Sequence, residues 1–361
     1  MDCALDTLQD VNTYLTEFSK KALKLRIPLS GSFEVTYRCN LRCVHCYLGH
    51  LKNRQTNDHE MNTERAIGLI DEITDAGCLY LLITGGEPLM RDDFSAIYRH
   101  AKERGLMVTV FTNGTMITEN ILDLFQELPP LEVEISLYGA SAATYEKITR
   151  VPGSYQRCIQ GINLLLQRGV HVRLKTILMT LNSHEFFDIE NMAKKFGVGF
   201  RFDAAINPCL NGDRAPLDLR VAPEEVIDKD FSDSKRARKW VKYSAEFDGP
   251  ILSDLLYDCG AGMIGFNIDP YENLQPCMMT TDIRHSLSGN NFLVGWHAIM
   301  EEIMKRKVTK DFSCHGCDKG HLCGCCPGFF KLETGSEQVI SPYICALGDL
   351  RLERIRKETK I

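Results

Sequence analysis

The amino-acid sequence predicts an α/β fold: a partial (β/α)6 barrel of the TIM type, followed by a small cysteine-rich C-terminal domain. Short apolar runs of strand length alternate with longer amphipathic segments of helical period, a pattern typical of βα units that build a parallel sheet. Six such units can be counted, two short of a closed eight-stranded barrel. Eight of the fifteen cysteines lie beyond residue 258, which indicates a second, metal-binding region.

The predicted elements follow one another in regular order. An N-terminal helix and connector cover 1–31, where apolar residues recur at helical spacing: Leu5, Leu8, Val11, Leu15 and Phe18. Strands are predicted at 32–37, 79–84, 107–112, 131–137, 172–179 and 199–205, and helices at 63–76, 94–104, 118–127, 154–168 and 184–195. The domains are therefore 1–31, the barrel at 32–206, a bridging loop and helix at 207–254, and the cysteine-rich domain at 255–361.

Composition excludes several classes of protein. The net charge of -6 gives no support to a nucleic-acid or anionic-membrane surface. No apolar run approaches the length of a membrane span. The acidic start, Met1-Asp2-Cys3-Ala4, lacks the basic flank and apolar core of a secretory signal, so we expect a cytoplasmic protein.

Three cysteines, Cys39, Cys43 and Cys46, follow the first predicted strand. Thiolates select iron–sulfur clusters, zinc or copper(I). A cubic four-iron cluster normally takes four cysteines, so three would leave one iron open to a substrate or cofactor. The alternative is packing, since positions i, i+4 and i+7 of a helix share one face.

Other polar and glycine motifs end the later strands, where a barrel of this kind carries its chemistry. Gly85-Gly86-Glu87-Pro88 ends the second strand, and its glycines permit a tight turn and a close approach of the backbone to a ligand. Thr112-Asn113-Gly114 ends the third strand.

The fourth strand has Glu132, Glu134 and Ser136 on one face, which predicts a polar lumen or, alternatively, a solvated edge strand. Four charged residues of the fifth and sixth strands could contact substrate or form ion pairs that close the barrel: Arg173, Lys175, Arg201 and Asp203.

In this order, the motifs resemble those of the radical S-adenosylmethionine (SAM) enzymes. The resemblance implies a [4Fe-4S] cluster on Cys39, Cys43 and Cys46, with SAM chelating the open iron through its amino and carboxylate groups. It assigns Gly85, Gly86 and Glu87 to SAM binding near the amino group, and it places Thr112 and Asn113 beside SAM. Ser136 and Arg150 would hold the SAM carboxylate. Tyr138 stands where the family has aspartate.

Among the C-terminal cysteines, Cys314-His-Gly-Cys317 followed by Cys323 has the spacing of a metal-binding site. One interpretation of this spacing is a structural zinc ribbon. The order of the C-terminal cysteines resembles instead the SPASM extension of radical SAM enzymes, which carries one or two auxiliary iron–sulfur clusters. By that resemblance the distal cluster takes Cys314, Cys317, Cys323 and Cys345, and the proximal cluster takes Cys259, Cys277 and Cys326. Either Cys325 supplies a fourth proximal ligand, or that cluster has an open iron.

Two further features of the sequence bear on this comparison. Glu272 stands where the hairpin before Cys277 usually has glycine. We interpret the isolated cysteines as structural: Cys3, Cys78, Cys158 and Cys209.

The resemblance implies reductive cleavage of SAM to a 5′-deoxyadenosyl radical, which abstracts a hydrogen atom from the substrate. The substrate is predicted to be a ribosomally synthesised peptide that is crosslinked, epimerised or oxidised. The alternatives are a dehydrogenase of a small-molecule intermediate and, without enzymatic activity, a cysteine-rich electron carrier or zinc-binding module. A reducing partner such as flavodoxin or ferredoxin is implied. Met278 replaces the aspartate that serves as the base in anaerobic sulfatase maturases, and a thioether cannot take a proton at neutral pH.

Overall fold

The structure is a computed structural model that describes residues 11–49, 60–246, 249–250 and 252–359, with the backbone alone for 11–16. Leu5, Leu8 and Cys3 lie outside the described residues. Within the described chain, nine strands form a single sheet in the order β6-β5-β4-β3-β2-β1-β7-β8-β9. The strands are β1 Ser30–Glu34, β2 Tyr80–Thr84, β3 Met107–Thr112, β4 Glu132–Ser136, β5 Val172–Ile177, β6 Gly199–Asp203, β7 Gly265–Ile268, β8 Asn273–Gln275 and β9 His285–Ser286.

The six predicted βα units are present. Strands β1 to β6 are parallel, and each strand pairs with the next in the chain. Helices follow them on the outer face. The helices are α1 Val11–Leu25, α2 Thr63–Asp75, α3 Phe94–Glu103, α4 Glu119–Glu127, α5 Ala142–Thr149, α6 Ser154–Gln167, α7 Phe186–Phe196, α8 Pro223–Ser232, α9 Ser234–Glu246, α10 Phe292–Lys305, α11 Gly320–Cys323, α12 Pro327–Thr334 and α13 Pro342–Glu358. Helix α5 was not predicted.

Alternate strand residues face the helices and form the core. Phe33, Ile83, Val110, Ile135 and Leu174 are all fully buried. Their neighbours face the other side of the sheet, as the two-residue period of a strand requires. Strand β4 lies between β3 and β5, so its interpretation as an edge strand is wrong, and Glu132, Glu134 and Ser136 face the lumen.

The cysteine-rich region is joined to the barrel by backbone pairing, which the sequence reasoning did not foresee. Strand β7 extends the sheet by pairing in parallel with β1, from Ser30 with Gly265 to Phe33 with Ile268. The antiparallel strand β8 then leads back to Cys277. No helix among the described residues is long and apolar enough to span a membrane.

The β7–β8 turn contains Glu272, the residue that stands where the hairpin usually has glycine. This residue has φ +62°, the left-handed region that glycine favours. Its carboxylate accepts a hydrogen bond from Arg65 of α2 at 2.8 Å, and its N–H donates to the Asp269 carbonyl. The left-handed conformation costs about 1 kcal/mol or more in a residue with a Cβ atom. The ion pair between Glu272 and Arg65 offsets this cost and holds the turn against α2.

Candidate functional site

One cavity of about 370 Å³ lies at the carboxyl ends of β1 to β6. It brings together most of the residues assigned from the sequence to the first cluster and to SAM: Cys39, Cys43, Cys46, Gly85, Gly86, Thr112, Asn113 and Ser136. Three thiols from one loop are a donor set that suits an iron–sulfur cluster. The structure therefore places the donor set and the proposed SAM contacts around one space.

The cysteine loop is an irregular segment of turns, so the alternative of three cysteines on one helical face is wrong. Its backbone is fastened to the end of α5, where Arg42 N–H donates to the Thr149 carbonyl at 2.9 Å and Val44 N–H donates to the Ile148 carbonyl at 3.1 Å. Glu60 fastens the start of the loop by accepting the Thr36 hydroxyl at 2.8 Å. These bonds turn the three half-buried thiols toward the cavity.

The two glycines after β2 serve the packing of the chain against itself. A Cβ atom at Gly85, which has φ +140°, would lie 2.2 Å from the Thr36 carbonyl oxygen. One at Gly86 would lie 2.3 Å from the Arg38 carbonyl oxygen. Gly86 N–H donates to the Thr36 carbonyl at 2.7 Å. Glycine is required because the turn closes directly onto the cysteine loop.

Glu87 is fully buried and does not line the cavity. Its carboxylate accepts the Thr112 hydroxyl at 2.7 Å, Asn113 N–H at 2.7 Å and Leu89 N–H at 3.2 Å. Burial raises the pKa of Glu87 to about 7. The Glu87 side chain therefore does not line the cavity but positions the end of β3, whereas the resemblance assigns the backbone of this motif to SAM.

Asn113 connects that end of β3 to the cysteine loop. Its side-chain N–H donates to the Asn40 Oδ1 atom at 2.7 Å, and Asn40 donates in turn to the Thr115 hydroxyl at 2.7 Å. Thr112 and Asn113 thus reach the cavity as part of a continuous hydrogen-bonded rim.

Ser136 and Arg150, the predicted carboxylate ligands, are separated in the structure. Ser136 lines the cavity, and so does Tyr138. Arg150 is exposed at the C-terminal end of α5 with φ +57°, and it is not among the residues that line the cavity.

Charged residues of β5 and β6 form the predicted ion pairs, and three charged residues of these strands, Lys175, Arg201 and Asp203, line the cavity. Lys175 and Arg201 line the cavity, and both contact the buried Glu134 carboxylate, at 3.7 Å from the Lys175 Nζ atom and 2.8 Å from the Arg201 Nε atom. The Lys175 Nζ atom also lies 3.2 Å from the centroid of the Phe111 ring. Burial lowers the pKa of Lys175 to about 7. Asp203 lines the outer part of the cavity, and Arg173 pairs with Glu132 at 2.8 Å.

Replacing Lys175 with methionine should change how stability depends on pH. The folded-state pKa of Lys175 lies near 7, below the ordinary value of 10.5, so between these values the unfolded chain binds more protons. Stability contributed by this residue therefore rises as pH increases from 7 to 10.5. Lys175→Met should remove that rise, a difference of about 3 kcal/mol between pH 7 and 9.5 at 1.36 kcal/mol per pKa unit.

The measurement is urea unfolding of wild type and variant at both pH values. Lys194→Met, a substitution at a largely exposed helical lysine, is the control. Parallel pH profiles for wild type and Lys175→Met would contradict the prediction.

The sequence reasoning missed a buried carboxylate beneath the cysteine loop. Glu34 of β1 accepts the Tyr47 hydroxyl at 2.8 Å and the Asn267 side-chain N–H of β7 at 3.0 Å, and burial raises its pKa to about 7. Tyr47 follows Cys46 and lines the cavity. The available signal was an acidic residue between the apolar residues Phe33 and Val35. The bond to Asn267 could not be anticipated because it depends on the β1–β7 pairing.

A second cavity of about 360 Å³ lies in the cysteine-rich region. Its lining includes all four cysteines predicted for the distal cluster: Cys314, Cys317, Cys323 and Cys345. A zinc ribbon needs ligands that converge to about 2.3 Å from one ion. A cluster spreads its thiolates over several iron atoms, and four thiols around one cavity are a donor set that fits such a cluster.

The proximal cysteines form a separate group. Burial, together with the neighbouring Cys277 and Cys259, raises the pKa of Cys326, which lies at the N-terminal end of α12, to about 11. Cys325 instead shares a side-chain hydrogen bond with Cys314 of the distal set. Met278, which follows Cys277, reaches the first cavity. The isolated Cys78, Cys158 and Cys209 are all buried.

Comparison with known proteins agrees with this architecture. Residues 33–196 match the profile of the Radical SAM superfamily. The chain is 31% identical over 166 residues to the AdoMet-dependent heme synthase of Methanosarcina barkeri, a match that covers 46% of this chain and 47% of that protein. The alignment therefore spans about half the length of this relative.

Two similarities extend further along the chain. The mycofactocin maturase MftC of Mycobacterium tuberculosis is 29% identical over 273 residues, 74% of this chain and 68% of the relative. The crystal structure of Streptococcus suis SuiB bound to the precursor peptide SuiA shares the fold, with a TM-score of 0.69 at 15% identity over 96% of this chain and 83% of that one. The profile match begins within β1 and ends with α7, so residues 33–196, which contain the cysteine loop and the ends of β2 to β5, form a radical SAM domain.

Proposed function

We propose that this protein reductively cleaves SAM and uses the resulting 5′-deoxyadenosyl radical to abstract a hydrogen atom from a peptide substrate. The observation that carries the proposal is the single cavity onto which the cysteine loop, the ends of β2 and β3, and Ser136 all converge. A four-iron cluster bound to Cys39, Cys43 and Cys46 would supply the electron. The chain's own residues would hold SAM and exclude water from the reaction.

The extent of the similarities supports a peptide substrate. The heme synthase match covers 46% of the chain, whereas the match to the maturase covers 74%. The structurally similar SuiB has been solved with its precursor peptide. A small-molecule substrate is the second candidate, which the similarity to heme synthases favours. The electron would come from a flavodoxin or a ferredoxin.

Auxiliary clusters belong to the same proposal. The distal set of cysteines is the better defined of the two auxiliary sets, because its four members line one cavity: Cys314, Cys317, Cys323 and Cys345. Cys259, Cys277 and Cys326 would hold the proximal cluster. Met278, which follows Cys277, lines the first cavity, so the proximal set adjoins the space that SAM and the substrate would occupy.

Anaerobic reconstitution tests the proposal. We expect iron and sulfide for two to three clusters per chain, as the cysteine groups indicate, and formation of 5′-deoxyadenosine with dithionite and SAM. Peptides encoded near the gene should then change mass in a SAM-dependent manner. Stoichiometric zinc without deoxyadenosine would exclude the proposal. Deoxyadenosine whose formation is stimulated only by small molecules would retain SAM cleavage and exclude the peptide.

A further inference from the structure

Tyr138 lines the first cavity two residues beyond Ser136, at the position where the resemblance gives aspartate. Its side chain and that of Ser136 share a hydrogen bond. Both groups thus present hydroxyls from the same segment at the end of β4. Substitution of the aspartate by tyrosine therefore leaves a polar contact at this edge of the cavity.

The tyrosine is held rigidly from both sides. Its ring packs edge-on against His45 of the cysteine loop, with centroids 4.6 Å apart and an interplanar angle of 71°. Its carbonyl accepts the Asn182 side-chain N–H at 3.0 Å, and Asn182 donates also to the Ile177 carbonyl at 3.0 Å, which fixes the segment to the end of β5. A phenol fixed in this way loses little conformational entropy when a ligand binds.

Arg150 is placed differently. The neighbouring Thr149 supports the cysteine loop through its carbonyl, and its hydroxyl lies 2.8 Å from that of Ser154. Arg150 itself caps α5 in the left-handed conformation, and its side chain is exposed. The backbone of this segment therefore supports the loop, while the Arg150 side chain is exposed and does not line the cavity.

We propose that the Tyr138 hydroxyl, together with Ser136, binds the carboxylate of SAM in this protein and takes the role that the resemblance gives to Arg150. This inference rests on the proposed use of SAM. A phenol O–H donates to a carboxylate without bringing a second full charge into the site. The bond is charge-assisted, the class that contributes most among hydrogen bonds.

The experiment compares SAM with decarboxylated SAM, which retains the adenosine and the amine but lacks the carboxylate. Binding to the reconstituted protein is measured by equilibrium dialysis, and the effect of SAM on the EPR signal of the reduced cluster is recorded in parallel. We expect Tyr138→Phe to weaken SAM binding roughly ten- to hundredfold. We expect Tyr138→Phe to change binding of the decarboxylated analogue less than about twofold. The analogue has no carboxylate, so it cannot make the contact with the Tyr138 hydroxyl even in the wild type.

Two further variants and the iron content complete the test. Tyr145→Phe alters a fully buried neighbouring tyrosine, 6.2 Å away between ring centroids, that does not line the cavity; it should bind both compounds as wild type does. Arg150→Ala should weaken SAM binding much less than Tyr138→Phe. The inference is overturned if Tyr138→Phe, with its iron content retained, binds SAM normally or weakens both compounds equally. It is also overturned if the SAM-specific loss occurs in Arg150→Ala. Wild type that does not bind SAM would instead refute the proposed function.

Discussion

Cys43→Ala should reduce deoxyadenosine formation to background and remove about four iron atoms per chain, the content of one cubane cluster. The loop supplies three thiols to one cavity, and two remaining thiols cannot hold a cluster that already depends on an external ligand. The backbone of the loop should persist because its bonds to Thr149 and Ile148 involve main-chain atoms. Iron analysis and the cleavage assay measure both effects on the same preparation.

Cys78→Ala is the matched control for this substitution. Cys78 is buried, its thiol donates to the Tyr80 carbonyl at 3.4 Å, and burial raises its pKa to about 12. It lies outside both cysteine cavities, so this variant should retain wild-type iron content and SAM cleavage. Equal loss in both variants would mean that general destabilisation, and not the missing ligand, explains the result.

Glu87→Ala should produce the largest loss of stability. The substitution leaves one hydroxyl and two backbone N–H groups without their acceptor inside the protein. An unsatisfied buried donor costs about 1–3 kcal/mol, and since water can enter the space that the carboxylate leaves, we take the lower half of that range and expect roughly 3–5 kcal/mol for the three donors. For a chain of this size the thermal midpoint should fall by about 5–10 °C. SAM binding should weaken as well, since Thr112 and Asn113 lose their support.

Glu87→Gln separates the hydrogen bonds from the charge. An amide can still accept on one side, but its NH2 group must face a donor on the other, so its loss should be smaller, about 1 kcal/mol. Glu127→Ala, which breaks an exposed pair with Arg99, is the control and should leave the midpoint nearly unchanged. A Glu87→Ala variant as stable as wild type would contradict the proposed positioning role.

Most of the barrel could be predicted because its signals are local. The apolar runs placed β2 to β6 within a few residues of their observed bounds, and the five predicted helices, α2, α3, α4, α6 and α7, were placed similarly well. Helix α5 was missed because its eight residues carry little periodicity. The addition of β7 to the sheet could not be read locally, since it pairs residues that are far apart in sequence.

The candidate site could be predicted in its composition better than in its detail. Motif order gave the residues around the cavity, but it could not show that Glu87 is turned inward or that Arg150 is turned outward. These orientations depend on which neighbours compete for each side chain. The same holds for Cys325. Its position beside Cys326 in the sequence does not indicate that its side chain shares a hydrogen bond with Cys314.

The parallel pairing of β1 with β7 has a consequence for biosynthesis. Strand β1 leaves the ribosome early, yet one of its two neighbours in the sheet is encoded about 230 residues later. Until that segment is made, the free edge of β1 is open to pairing with other chains, and contacts of such long sequence separation form slowly. The cysteine loop directly after β1 therefore reaches its final surroundings only after Gly265–Ile268 has been made. Iron–sulfur assembly at this loop is best suited to a chain that already contains β7, and a fragment ending before Gly265 would carry an exposed strand edge next to three thiols.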